Sequence, residues 1–162
     1  LQHLMGRPAA VLDTLQVLAE QNPAALPLTA PLLVEAATAT GRVPQAQALL
    51  AAHYAEAPSL DVLEALVSID ANDAATRPAA RQRYVQHLDK ERSLVAASKW
   101  LAGEKLEHEE FHPQIQRALE HAVKPLTRYR CAACGFEARQ HFWQCPGCQT
   151  WDSYPARRVE EL

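Results

Sequence analysis

Apolar residues recur along the first 123 positions with the spacing of amphipathic helices. The positions two, six and ten residues after four regularly placed prolines are mostly apolar. Steps of four residues bring side chains to one face of a helix. Proline is tolerated in the first turn of a helix, where its missing N–H costs nothing. The pattern therefore predicts four helices that begin near Pro8, Pro44, Pro78 and Pro113.

Further apolar segments lie between these four and predict a second helix in each repeat. They cover residues 28–36, 63–67 and 94–101. Gly41 is suited to end the first of them, because glycine readily adopts the left-handed conformation that closes a helix. Ser59 and Ser93 precede the other two, where a hydroxyl oxygen can accept a hydrogen bond from a free backbone N–H.

The intervals between the four prolines are 36, 34 and 35 residues. A period of about 34 residues built from two antiparallel helices is typical of tetratricopeptide repeats. The full residue signature of that repeat is missing, so an irregular helical bundle is the alternative. We predict a mostly α fold with a tetratricopeptide-like helical-repeat solenoid over residues 1–126. Such solenoids bind a protein or peptide on their concave surface, but the sequence leaves the partner-binding face unknown.

Composition and charge narrow the class of protein. The chain has 162 residues and a formal net charge of −3, which suits one compact unit with a small appendage. Residues 1–123 carry 10 basic and 15 acidic side chains, whereas residues 124–162 carry 6 and 4. This balance disfavours a protein that coats nucleic acid, which needs a cationic excess. The chain begins at Leu1, and we expect it to be a fragment of a longer protein.

All four cysteines lie near the C-terminus, in two Cys-x-x-Cys pairs with ten residues between them. Each pair places two thiolates on one tight turn, and two such turns supply a tetrahedral set of four sulfurs. Gly135 and Gly147 lie where the backbone of each turn must curl toward sulfur. We predict a small β metal domain of the zinc-ribbon kind over residues 127–162. Its predicted ligands are Cys131, Cys134, Cys145 and Cys148.

Two disulfides are the alternative use of these cysteines. They are disfavoured because nothing in the sequence indicates secretion. A thioredoxin-like redox motif would need one such pair near a βαβ pattern, which the sequence does not show. Four sulfurs suit either iron or zinc, so the sequence does not identify the ion. With every position filled by protein, we expect a structural site and no enzymatic activity.

Residues 108–112 match the His-Glu-x-x-His pattern of zinc metalloproteases. That chemistry needs both histidines on one face of a continuous helix. Pro113 follows His112 directly and biases it away from helical geometry. We interpret this segment as a polar connection between two helices.

The helical repeats lead into Tyr-Arg-Cys-x-x-Cys-Gly-Phe and then Phe-Trp-x-Cys-Pro-x-Cys-x-x-Trp. In this arrangement the chain resembles the lipopolysaccharide assembly protein B family of Gram-negative bacteria. The resemblance implies a rubredoxin-like metal domain at the C-terminus. It implies an adaptor at the cytoplasmic face of the inner membrane, anchored by a helix that this chain lacks. It also implies that the adaptor promotes degradation of the lipid A pathway deacetylase by the membrane AAA+ protease. The family's metal ligands correspond to the four cysteines.

Two other classes of function remain open from the residues alone. A small electron-transfer protein could use iron bound by four sulfurs. A nucleic-acid-binding zinc ribbon could use the basic side chains of the tail, although six basic against four acidic residues make a weak cationic patch.

Overall fold

The computed structural model describes residue 3 and residues 5–72, 74–103 and 110–162. Within these ranges the chain forms seven α-helices followed by two short strands. The helices are α1 (Pro8–Gln21), α2 (Leu26–Thr40), α3 (Val43–Glu56), α4 (Leu60–Asn72), α5 (Arg77–Leu88), α6 (Leu94–Ala102) and α7 (His112–Val123). The strands are β1 (Tyr129–Arg130) and β2 (Glu137–Ala138).

Helix positions repeat as the hydrophobic pattern predicts. Helices α1, α3, α5 and α7 begin 35, 34 and 35 residues apart, and each carries one of the four prolines in its first two positions. Helices α2, α4 and α6 begin 34 residues apart. The mostly α fold with a small C-terminal metal domain is confirmed, whereas the tetratricopeptide assignment stays a prediction.

The ends of the helices follow the local chemistry of the sequence. Gly41 ends α2 with a φ of 68°, a left-handed conformation that glycine adopts without steric cost. The Ser93 hydroxyl accepts a hydrogen bond from the Ala96 N–H at 2.9 Å. The Ser59 hydroxyl accepts one from Val62 at 3.3 Å. The three capping predictions are therefore confirmed.

The chain forms two compact units, Leu1–Ala80 and Arg81–Leu162. The core of the first unit consists of side chains from α1 to α4, among them Leu12, Leu33 and Leu50, each 0% exposed. Full burial of a leucine side chain contributes about 1.5–3 kcal/mol. This unit therefore derives its stability from the repeated apolar faces of its helices.

The second unit contains α6, α7 and the four-cysteine region. Helix α7 packs against α6 but has no buried residue. Ile115, which the apolar pattern places on the packing face, is instead 48% exposed. Leu119 and Val123 are only half-buried, so the apolar pattern overstates how much of α7 is covered.

Strands β1 and β2 pair antiparallel, with Tyr129 opposite Ala138 and Arg130 opposite Glu137. A further antiparallel bridge joins Gln144 to Trp151. Each pairing closes one cysteine turn, since β1 and β2 flank residues 131–136 and the Gln144–Trp151 bridge flanks residues 145–150. None of the helices in the described part of the chain is long and apolar enough to cross a bilayer.

Candidate metal centre

The first cysteine turn follows β1 directly. The Cys131 N–H donates to the Phe136 carbonyl at 2.9 Å, and the Gly135 N–H donates to the Cys131 carbonyl at 2.9 Å. Gly135 has a φ of +77°, where an L side chain is strained. This left-handed backbone conformation agrees with the prediction that the first cysteine turn needs a glycine.

The second turn repeats the same hydrogen bonds with a different residue at its bend. The Cys145 N–H donates to the Thr150 carbonyl and the Gln149 N–H to the Cys145 carbonyl, both at 2.9 Å. Gln149, with a φ of 63°, takes the position that Gly135 occupies in the first turn. Gly147 has no positive φ, so the second turn does not need glycine for its backbone conformation. A Cβ there would lie 3.4 Å from the Phe136 side chain, at the edge of ordinary van der Waals contact.

The two turns bring the four cysteine sulfurs into one cluster. The Sγ atoms of Cys131 and Cys148 are 3.8 Å apart, and those of Cys134 and Cys145 are 3.7 Å apart. All four sulfurs lie within 4.8 Å of one another. A tetrahedral ion with metal–sulfur bonds of about 2.3 Å requires sulfurs about 3.8 Å apart. The cluster therefore has the dimensions of a four-sulfur metal site.

These distances are inconsistent with the disulfide alternative. A disulfide needs sulfurs about 2.05 Å apart, whereas the four cysteines are free. Among the described residues, the same four form the group of His, Cys, Asp and Glu side chains that could hold a metal ion. The donor set fits iron and zinc equally, since both take four thiolates.

The first cysteine of each pair is buried and the second is exposed. Cys131 and Cys145 are each 1% exposed, while Cys134 and Cys148 reach the surface. An ion bound here would have protein on one side and an exposed edge on the other. Four protein sulfurs leave no coordination position for a reacting water, which is the arrangement of a structural site.

Two hydroxyl groups lie beside the sulfurs. The Cys131 thiol donates to the Ser153 hydroxyl oxygen at 3.2 Å, and the Cys148 thiol donates to the Thr150 hydroxyl oxygen at 3.3 Å. When the thiol loses its proton, the Ser153 hydroxyl can donate to the thiolate, and this is the largest cause that lowers the pKa of Cys131 to about 6, against the opposing effect of burial. The Thr150 hydroxyl likewise lowers the pKa of Cys148. Both sulfurs are thereby favoured as thiolates, the form that binds metal.

The Cys134 thiol behaves in the opposite way. The backbone of Phe136 lowers its pKa, but the sulfur of Cys148, burial, and the other two sulfurs raise it to about 12. Four sulfurs this close cannot all carry negative charge without a cation, because like charges disfavour each other's ionised form. A divalent or trivalent ion would supply the compensating charge.

A cluster of aromatic rings supports the site from one side. His141 makes edge-to-face contacts with Tyr129, Trp143 and Tyr154, with ring centroids 5.7, 4.9 and 6.0 Å apart. Its Nε2 lies 2.9 Å from the Tyr154 carbonyl oxygen. The Tyr154 hydroxyl donates to the Phe136 carbonyl at 3.1 Å, which ties it to the first cysteine turn. His141 therefore belongs to the packing of the domain and not to the sulfur cluster.

Two tryptophans next to the cysteine turns lie largely at the surface. Trp143 and Trp151 are 59% and 65% exposed. Ser153 and Tyr154 are buried in their place. No sequence signal identifies these two, since a serine and a tyrosine beyond the last cysteine have no characteristic spacing.

The C-terminal segment returns to the start of the metal domain. The Val159 N–H donates to the Arg128 carbonyl and the Arg158 guanidinium to the Thr127 carbonyl, both at 2.7 Å. The Arg158 guanidinium also lies 4.2 Å from the centre of the Tyr129 ring, a cation–π contact. These contacts fix the strand that leads into Cys131.

The His-Glu-x-x-His segment, residues 108–112, lies partly outside the described residues. His108 and Glu109 lie there, so the metalloprotease alternative is untested. His112 is the first residue of α7, and its Nε2 lies 3.3 Å from the Leu101 carbonyl oxygen. Helix α7 thus begins next to Pro113 as predicted, but His112 is already helical, contrary to the expected bias.

Known proteins similar to this chain match its C-terminal region. Residues 129–154 match the family described as rubredoxin metal binding domain. Lipopolysaccharide assembly protein B of Escherichia coli strain K12 is 42% identical over 41 residues, which are 25% of this chain and 10% of that protein. The protein of the same name from Haemophilus influenzae is 31% identical over 39 residues, 24% of this chain and 10% of that protein.

The matched segment spans about a tenth of the length of these relatives. Their name is that of an assembly protein and not of an enzyme. The comparisons confirm the predicted resemblance to lipopolysaccharide assembly protein B in the C-terminal region, where residues 129–154 match a rubredoxin metal binding domain.

Proposed function

We propose that this chain is a non-enzymatic protein of lipopolysaccharide assembly whose C-terminal domain holds one iron or zinc ion. The observation that supports the metal is the cluster of four cysteine sulfurs, spaced as a tetrahedral ion requires. The proposed ligands are the sulfurs of Cys131, Cys134, Cys145 and Cys148.

The ion would act on the structure of the domain. When bound, it supplies four bonds that join two turns, each of which is closed by one short β pairing and by its own backbone hydrogen bonds. Cys131 and Cys145 would bind from the buried side, and Cys134 and Cys148 from the surface. In small domains with structural metal sites, much of the folding free energy comes from the ion.

The proposed partners are proteins. The relatives matched over 41 residues of the C-terminal region are named for lipopolysaccharide assembly. The resemblance to their family supports an adaptor for degradation of the lipid A pathway deacetylase by the membrane AAA+ protease. The helical body, proposed as residues 1–126 with tetratricopeptide-like repeats, would bind partners. The metal domain, proposed as residues 127–162, would support that binding. This function belongs to the cytoplasmic face of the bacterial inner membrane.

Metal analysis of the purified protein tests the proposed centre. The protein is purified without added zinc, and iron and zinc are quantified per chain for the wild type and for Cys131→Ser. We expect close to one ion per wild-type chain and a large loss in the variant. A wild-type protein that carries neither metal, and takes up neither on addition, would contradict the proposal.

Degradation of the deacetylase tests the proposed role. In Gram-negative cells depleted of lipopolysaccharide assembly protein B, the full-length protein that contains this chain is expressed as wild type or as Cys131→Ser. We expect the wild type to shorten the half-life of the deacetylase and the variant to have a weaker effect. Ser98→Ala, a change of a buried serine in α6, is the matched control. An unchanged half-life with the wild type would exclude the adaptor role.

A further inference from the structure

Ser153 is buried against the cysteine cluster, although it is not one of the ligands. Its side chain is part of a residue only 8% exposed, and its hydroxyl oxygen lies 3.2 Å from the Cys131 sulfur. Its backbone carbonyl accepts a hydrogen bond from the Ala132 N–H at 2.7 Å. The position of Ser153 is therefore fixed to the first cysteine turn through both its backbone and its side chain.

The Ser153 hydroxyl has two partners and one hydrogen atom. In the structure it accepts from the Cys131 thiol and donates to the Thr150 carbonyl oxygen, with both distances 3.2 Å. A cysteine bound to metal has lost its thiol hydrogen, and its sulfur can then only accept. A hydrogen bond between the two groups then requires the hydroxyl to direct its own hydrogen to the sulfur.

This change of direction leaves no buried group without a partner. The Thr150 carbonyl also accepts a hydrogen bond from the Cys145 N–H at 2.9 Å and keeps it when Ser153 turns away. The Cys131 sulfur gains a hydroxyl donor at a distance already suited to a hydrogen bond. Hydrogen bonds to ionised groups are about twice as strong as neutral ones.

We propose that Ser153 is a positioning residue of the metal centre, whose hydroxyl donates to the Cys131 sulfur in the loaded protein and sets the affinity for the ion. This inference rests on the proposed metal centre. Such a donor fixes the orientation of a ligand and tunes the metal, as partners outside the ligand set generally do.

Thr150 provides a comparison within the same centre. Its hydroxyl oxygen lies 3.3 Å from the Cys148 sulfur, but both residues are exposed to solvent. Water can replace that hydroxyl at the surface. It cannot do so as readily at Ser153, since Cys131 is 1% exposed. The loss of the Ser153 hydroxyl is therefore expected to weaken the site more than the loss of the Thr150 hydroxyl.

The test measures Zn²⁺ affinity by competition with a chromophoric chelator at constant pH. It compares the wild type with Ser153→Ala, Ser153→Thr, Thr150→Val and Ser98→Ala. Ser98 is a buried serine of α6 and controls for the loss of a buried hydroxyl elsewhere in the same unit. We expect Ser153→Ala to weaken affinity about 10–100-fold. Ser153→Thr should retain most of the affinity, Thr150→Val should lose less than Ser153→Ala, and Ser98→Ala should match the wild type.

A second measurement separates tuning of the metal from damage to the fold. Each variant is loaded with iron and its reduction potential is measured. Hydrogen bonds to the sulfurs contribute to this potential. Because a donor favours the reduced, more negative form of the centre, Ser153→Ala is expected to lower the potential. The far-ultraviolet circular dichroism of the loaded variant should match the wild type.

The outcomes are distinct. A Ser153→Ala protein with wild-type affinity and wild-type potential would overturn the role of Ser153 while leaving the metal centre in place. A Ser153→Thr protein as weak as Ser153→Ala would also overturn it, because the hydroxyl would then be irrelevant. A wild-type chain that binds neither Zn²⁺ nor iron would instead remove the proposed centre, and this inference with it.

Discussion

The Glu160 carboxylate caps the N-terminus of helix α6 jointly with the Ser93 hydroxyl. One carboxylate oxygen accepts from the Ser93 hydroxyl at 2.7 Å, and the other accepts from the Leu94 and Val95 N–H groups at 2.6 and 3.1 Å. An anion at a helix N-terminus is favoured by the helix dipole. The C-terminal end of the chain, beyond the matched residues 129–154, is thereby tied to α6 in the same compact unit.

Replacement of Glu160 by Gln is expected to destabilise the Arg81–Leu162 unit. The change removes the charge that strengthens three hydrogen bonds, and such bonds contribute about 1.5–3 kcal/mol when one partner is ionised. Because Glu160 is partly exposed, we expect the free energy of unfolding to decrease by an amount near the lower end of this range, about 1–2 kcal/mol. Urea unfolding followed by circular dichroism measures it.

The control for this change is Glu120→Gln. Glu120 is an exposed helical residue that accepts one hydrogen bond from the Gln116 side chain. Surface substitutions of this kind change stability by less than about 0.5 kcal/mol. A double-mutant cycle of Glu160→Gln with Ser93→Ala should show a coupling of at least about 0.5 kcal/mol. Strictly additive effects would mean that the two side chains do not act as one cap.

Removal of the metal is expected to unfold the four-cysteine region while leaving the first compact unit helical. The core of that unit lies in α1 to α4, and the four cysteines lie outside it. Addition of a strong chelator should abolish the near-ultraviolet circular dichroism that arises from the rings around His141. Most of the far-ultraviolet helix signal should remain.

Thermal unfolding with excess Zn²⁺ and with chelator gives the second measurement for metal removal. The unfolding temperature of the metal-containing unit should be lower with chelator than with Zn²⁺. The unfolding temperature of the first unit should be the same in both. Cys134→Ser should reproduce the chelator result without any chelator. A chelator-treated protein with an unchanged near-ultraviolet spectrum would show that the domain folds without the ion.

The two cysteine turns differ in a way that predicts a stabilising substitution. Gln149 has a φ of 63° at the position where the first turn has glycine. A left-handed conformation costs an L residue roughly 1–2 kcal/mol, part of which is offset because glycine loses more entropy on folding. Gln149→Gly is therefore expected to stabilise the loaded domain by about 0.5–1 kcal/mol.

Two matched glycine substitutions test the reason for this gain. Gly135→Ala should destabilise the domain, since its φ of +77° strains any side chain even though nothing lies within 4 Å of a Cβ there. Gln144→Gly should also destabilise it, because Gln144 lies in a β bridge with Trp151, where glycine weakens pairing. If Gln149→Gly proved as harmful as Gln144→Gly, backbone strain would not be the explanation.

The features that the sequence predicts correctly are local in the chain. Helix starts at the prolines and the cap at Gly41 depend on a few consecutive residues, and so does the spacing within each cysteine pair. The cap formed by Glu160 on α6 joins residues 67 positions apart, and no periodicity encodes it. Likewise, burial of Ser153 and exposure of Trp151 depend on how the segment after the last cysteine folds back over the first turn.

Stability of the second unit is expected to fall as the pH decreases below about 6.5, and His87 is a cause. His87 is 3% exposed. Burial is the largest effect and lowers its pKa from 6.5, against the opposing charges of Glu91 and Glu160, while Lys90 lowers it further. Because the unfolded chain binds the proton more readily, the contribution of neutral His87 to the stability is fully present above pH 6.5. This contribution is lost as the pH falls toward the lower pKa of His87 in the folded protein.

Urea unfolding at several pH values between about 7.5 and 5.5, where histidine titrates, measures this effect. The free energy of unfolding should depend less on pH for His87→Gln than for the wild type. His121→Gln, a change of an exposed histidine in α7, should leave the wild-type dependence intact. Equal slopes for the wild type and His87→Gln would assign the pH dependence to other groups.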